Sequence, residues 1–163
     1  MFQIGEFVVY GYSEVCRIKD IAVPDFLDTK ESYYYLQPLC SATSILYVKV
    51  SGPSKVMRRL ISRKQAEDAL AGFEKLDALY DDNEKFRLKE YSEIFHACDF
   101  GGWMRMLKGI LTERERRAQS GRKLNMVDEK NLNKVQSCVA AEFSQVLQIP
   151  VEQAKDYLHL AAC

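Results

Sequence analysis

Histidine is scarce in this chain, two in 163 residues, and no His-x-x-x-His, His-Glu-x-x-His or Cys-x-x-Cys spacing occurs. Metal sites and metal-activated waters that need such spacings are not expected. The five cysteines, Cys16, Cys40, Cys98, Cys138 and Cys163, are odd in number and scattered, which argues against a disulfide framework and for a reducing, cytoplasmic compartment. Glycine-rich phosphate loops are missing as well. Gly101-Gly102 has no Gly-x-Gly-x-x-Gly or Gly-Lys-Ser/Thr around it and reads as a tight turn between helices. No apolar run reaches the roughly 18 residues of a membrane span, and MFQIGEFVVYG lacks the basic start of a secretion signal. Charge of one sign is not in excess either: 23 Lys plus Arg balance 23 Asp plus Glu. Any contact with nucleic acid must therefore come from a local patch.

What is present is the balance of a folded protein, 47% apolar and 28% charged residues, in a chain long enough for one domain or two small ones. Up to Leu60 the apolar positions form short β-branched and aromatic runs, FVVY, VCRIKDI, YYYLQPL and ILYVKV, separated by Gly, Ser, Pro, Asp and Thr. They predict four or five short strands in a small curved sheet or barrel, with residues 23–32 as the longest loop. The triplet Tyr33-Tyr34-Tyr35 must place at least one ring on the wet face.

After Ser62 the apolar period becomes helical. Ser62-x-x-Gln65 has the form of a capping box, opening a helix with Ala66, Leu70, Phe73 and Leu76 on one side. A second helix is expected over residues 83–97, capped by Asp82 and carrying Phe86, Leu88, Tyr91, Ile94 and Phe95. A third follows Asp99, its stripe formed by Trp103, Leu107, Ile110 and Leu111, which places the only tryptophan in the core. Residues 127–147 predict a fourth helix and 150–161 a short fifth, with Pro150 in its first turn. The expected fold is α+β, a β module over residues 1–61 followed by an all-α bundle of about five helices over 62–163.

Catalytic groupings do not emerge, so the chain reads as a non-enzyme without cofactor or metal. His96 and His159 each fall near a predicted helix end, where a cation suits the carbonyl end of the dipole. The cysteines read as small core fillers, with Cys163 exposed at the terminus. Residues 105–123 carry seven basic side chains (Arg105, Lys108, Arg114, Arg116, Arg117, Arg122, Lys123) against Glu113 and Glu115. This run suits either a phosphate backbone or a solvated face of ion pairs.

The opening Met1-Phe2-Gln3-Ile4-Gly5-Glu6-Phe7-Val8-Val9-Tyr10 is followed by strand-like stretches at 15–21, Tyr34-Tyr35-Leu36, 45–50 and Met57-Arg58-Arg59. In the second half Asn83, Arg87, Lys89, Glu93, Asp99, Leu124, Glu129-Lys130 and Leu132 continue the pattern. Together these motifs resemble the bacterial CarD/CdnL family of RNA polymerase-binding transcription regulators, whose N-terminal module is shared with the transcription-repair coupling factor. The resemblance implies a five-stranded Tudor-like or SH3-like barrel that docks on the polymerase β subunit by a strand edge, with Ile45, Tyr47 and Lys49 as contacts. It implies further that the helical part touches promoter DNA and stabilises the open complex.

The family carries a tryptophan beside an asparagine as a minor-groove wedge, and here that pair reads Asn83-Glu84. A carboxylate cannot fill an unstacked base step, so the expected DNA contact is nonspecific and phosphate-dominated, through Lys85, Arg87, Lys89 and Lys130. The alternative is a polymerase-docking adaptor whose helical part binds a protein. No membrane association is expected, and a monomer is.

Overall fold

The computed structural model describes residues 1–11, 14–52 and 57–161, and the chain divides into two units, Met1–Leu60 and Ile61–Cys163. The first unit is a five-stranded antiparallel sheet of β1 (Phe7–Tyr10), β2 (Glu14–Ala22), β3 (Tyr33–Pro38), β4 (Leu46–Lys49) and β5 (Met57–Arg59), in the order β4-β3-β2-β1-β5. Strand alternation sends Val8, Cys16, Ile18, Tyr34, Leu36 and Met57 into one buried cluster. Within the tyrosine triplet only Tyr34 is buried, so Tyr33 and Tyr35 take the other face. A register shift between Ile18 and Asp20 lets β2 keep pairing with β3 as far as Ala22.

Residues 23–32 carry no strand or helix, as the Pro-, Asp- and Thr-rich sequence suggests. The sheet is open. Among the described residues no ladder joins β4 to β5, so strand pairing does not close the expected barrel. The three residues of β5 pair with Val8, Val9 and Tyr10 of β1, while β4, among the described residues, pairs with β3 alone.

The second unit contains α1 (Arg63–Ala71), a single 3-10 turn (Phe73–Lys75), α2 (Glu84–His96), α3 (Phe100–Gln119), α4 (Met126–Leu147) and α5 (Val151–Ala161). The capping box forms as the sequence suggests, with Ser62 accepting from the Gln65 amide at 3.1 Å and Gln65 from the Ser62 amide at 2.8 Å. The cap of α2 is Asn83 rather than Asp82. Its Oδ1 accepts from the amides of Lys85 and Phe86, and the Asn83 amide in turn donates to Asp81 at 2.7 Å.

α4 runs against α1, α3 and α5, and its sides are correspondingly buried at Leu132, Val135, Val139, Ala140 and Phe143. Trp103, Leu107, Ile110 and Leu111 are buried on α3, as their spacing predicts. The buried carboxylate of Glu142 on α4 accepts the Ile61 amide at 2.8 Å, holding the backbone that leads into α1.

The turn between α2 and α3 is made by residues 97–99, with Cys98 in a left-handed conformation (φ 50°). Gly101 and Gly102 therefore lie in the first turn of α3 and not in the interhelix turn expected of them. His96 Nδ1 lies 3.0 Å from the Ser92 carbonyl in the last turn of α2. Cys16, Cys98 and Cys138 are buried and Cys40 is exposed; Cys163 and the His159 side chain lie outside the described residues. Among the described residues no helix is long and apolar enough to cross a membrane.

Candidate docking edge and nucleic-acid interface

β4 is an edge of the sheet. Its register with β3 pairs Tyr47 with Tyr35 and Lys49 with Tyr33, and the Val50 amide donates to the Ser32 carbonyl at 3.0 Å. In an antiparallel ladder the backbone groups of successive residues point to opposite sides. Residues 46, 48 and 50 therefore bond toward β3, and the N–H and C=O of Tyr47 point off the sheet. The Lys49 amide points the same way, while its carbonyl accepts from Gly52 at 3.2 Å. Ile45 lies one residue before β4 and is exposed.

The side chains of this edge form an aromatic platform. The Tyr47 ring, 41% exposed, meets Tyr35 and the loop residue Phe26 edge-on, each with centroids 4.8 Å apart. Lys49 Nζ is tied to Glu31 Oε2 at 2.6 Å, so Glu31 absorbs part of its charge. No period in the sequence signals Phe26. An aromatic in a loop has no register, and only the fold brings it against Tyr47.

In the helical unit Lys85, Lys89 and Lys130 are exposed, the first two one turn apart on α2. Arg87 corrects the expectation. It is 2% exposed, and its Nε and Nη2 donate to the two carboxylate oxygens of the fully buried Asp128 at 3.1 and 3.2 Å. Its Nη1 donates to the Asp81 carbonyl at 2.7 Å, and the guanidinium lies 4.4 Å from the Tyr80 ring centre. A guanidinium so engaged has little left for a phosphate.

Tyr80 donates to Asp128 Oδ2 at 2.7 Å, and burial together with this bond pushes its phenol up to about 12. Burial also raises the Tyr91 phenol, whose hydroxyl has no hydrogen-bond partner among the described residues. The Arg87–Asp128 pair clamps the first turn of α2 to that of α4; of the expected stripe α2 buries Tyr91 and Phe95, leaves Leu88 and Ile94 half-buried, and adds Arg87 to the buried side. Phe86, expected inward, is 60% exposed. The i, i+4, i+8 spacing of Arg87, Tyr91 and Phe95 is visible in the sequence, but its meaning depends on Asp128, 41 residues away.

The basic run from Arg105 to Lys123 is sorted by the fold. Arg105 reaches the Asp77 carbonyl at 3.4 Å, and Lys108 caps the 3-10 turn at the Phe73 and Glu74 carbonyls at 3.1 and 2.9 Å. Arg116 and Arg117 converge on the buried carboxylate of Glu113, with bonds of 2.6 to 2.7 Å. Arg116 chiefly, with Arg117, outweighs burial and pulls Glu113 down from its ordinary 4.5 to about 2.

A carboxylate held below its unfolded value stabilises the fold above that value, and the contribution is lost as pH falls through the folded one. Glu113→Gln is therefore expected to cost about 1–2 kcal/mol at neutral pH, Arg116 being largely in water, with the cost shrinking as pH falls from 4.5 and vanishing only below about 2. Urea unfolding followed by Trp103 fluorescence across that range checks it, and a gap between variant and parent that does not narrow with acid contradicts it.

Among the described residues no group of three or more His, Cys, Asp or Glu side chains is placed to hold a metal ion. No family model and no curated protein sequence matches this chain.

Proposed function

We propose that the chain is a non-enzymatic, cytoplasmic regulator of bacterial transcription that docks on the RNA polymerase β subunit through the edge of β4. Its helical unit modulates initiation and open-complex stability by nonspecific contact with the DNA backbone. One observation carries the docking: β4 is an edge strand with outward backbone groups at Tyr47, and strand addition needs such an edge. The motifs running from Met1 to Leu132 name the partner by resemblance. A return of β5 to β1 beside three successive hairpin neighbours supports reading the open sheet as a Tudor-like or SH3-like module.

The test is capture of the polymerase β subunit by the full chain and by a Tyr47→Glu, Lys49→Glu variant. Capture by the parent and its abolition in the variant is the expected result; no capture by folded parent protein overturns the docking.

For DNA, Lys85, Lys89 and Lys130 remain once Arg87 is removed from the set. Three neutralised phosphates correspond to a slope of about −3 in log affinity against log salt. Salt-independent binding contradicts this contact. A second reading, an adaptor whose helical unit binds protein, is favoured by the burial of Arg87 and the exposure of Glu84 and Phe86 on the first turn of α2. Lys85→Ala with Lys89→Ala separates the two. Shortened promoter-complex lifetime favours DNA contact, and an unchanged lifetime favours the adaptor.

A further inference from the structure

Of the seven cations between Arg105 and Lys123, four are engaged with carbonyls or Glu113, as described above. The other three, Arg114, Arg122 and Lys123, make no ion pair among the described residues and line one groove of about 410 Å³. The groove runs between the C-terminal part of α3 and the first turns of α4. One carboxylate, Glu129, also lines it, so two positive charges are left over. Like charges gathered on one concave surface repel, and an anion that enters relieves the repulsion.

The remaining walls specify more than an inorganic anion. Ala118, Leu124 and Leu132 supply apolar surface, and Asn133 and Gln136 supply amides able both to donate and to accept. A planar heteroaromatic group with polar edges suits such walls, while its phosphates suit the cations. A volume of about 410 Å³ falls within the range of small-molecule sites.

We propose that this groove binds a nucleotide by its phosphates, with Arg114, Arg122 and Lys123 on the phosphates and the base against Leu124 and Leu132. The same chemistry is presented by a free nucleoside polyphosphate and by a nucleotide of a single strand. None of the β4 residues, Lys85, Lys89 and Lys130 lines this groove, and the site does not depend on polymerase docking.

The test measures binding of ATP, GTP, inorganic pyrophosphate and an oligodeoxythymidine strand to the full chain by calorimetry at low salt. Arg122→Ala with Lys123→Ala removes two exposed cations and no internal side-chain bond, and Arg63→Ala with Lys64→Ala on α1 removes two elsewhere. Removing each charge-assisted bond to phosphate is expected to weaken binding about tenfold or more, in the groove variant and not in the α1 variant. Groove-dependent binding of ATP or GTP identifies free nucleotide as the source; groove-dependent binding of the strand alone identifies a nucleic acid. The proposal is overturned if neither binds, if the groove variant binds as the parent does, or if pyrophosphate binds as tightly as the nucleotides.

Discussion

Asp128→Ala is expected to destabilise the helical unit by about 3–5 kcal/mol, the usual cost of leaving one member of a buried ion pair without the other. The destabilisation has three physical parts. The guanidinium of Arg87 stays buried with its Nε and Nη2 donors unanswered, the Tyr80 hydroxyl loses its acceptor, and the first turn of α4 loses a favourable negative charge. Trp103 is the only tryptophan and lies in the core of this unit, so its fluorescence during urea unfolding reports on these helices alone.

Arg87→Leu combined with Asp128→Leu is expected to recover part of the stability, because it removes both charges together. Recovery is incomplete, since Tyr80 and the Asp81 carbonyl each lose a partner. A stability for Asp128→Ala within about 1 kcal/mol of the parent would contradict the clamp, and would return Arg87 to the set of residues able to reach DNA.

The second large effect is expected at Gly109. A Cβ built there would lie 2.0 Å from the Leu79 carbonyl oxygen and 2.6 Å from its carbon. Both obstacles are backbone, in a segment pinned to α3 by the Leu79 amide bonding to the Arg105 carbonyl at 3.0 Å. No side-chain rotation relieves the clash, so either the segment lifts from α3 or the helix shifts. Gly109→Ala is expected to cost about 3 kcal/mol or more, at the upper end of overpacking effects.

Gly101 is the matched control. It is exposed in the first turn of α3, and the nearest atom to its Cβ would be Asp99 Oδ1 at 3.5 Å. Gly101→Ala is expected to leave stability unchanged or raise it by up to about 1 kcal/mol, through the lower backbone entropy of alanine. Equal midpoints for the two variants would mean that Leu79 does not approach α3 closely.

Much of this architecture is legible without coordinates, because it rests on interactions between residues close in the chain. The change from period two to a helical period near residue 61, the Ser62 and Gln65 box, and the inward stripe of Trp103, Leu107, Ile110 and Leu111 all depend on geometry repeated within one or two turns. The error at the α2 cap is of the same local kind: Asp81, Asp82 and Asn83 can all cap a helix, and only the backbone decided for Asn83.

The tertiary structure decided the fates of groups whose partners are remote. A charge in a sequence carries no label saying whether it will meet water, a carbonyl or an opposite charge. Arg87 became internal because Asp128 meets it, and Glu113 drew Arg116 and Arg117 out of a basic run that otherwise looked uniform. The gathering of Arg114, Arg122 and Lys123 in one groove is the remainder of that sorting. Phe26 and Tyr47 met, and Gly109 came to lie against the Leu79 backbone, for the same reason: side-chain period specifies which face of an element is apolar, whereas docking of one element on another specifies which atoms touch.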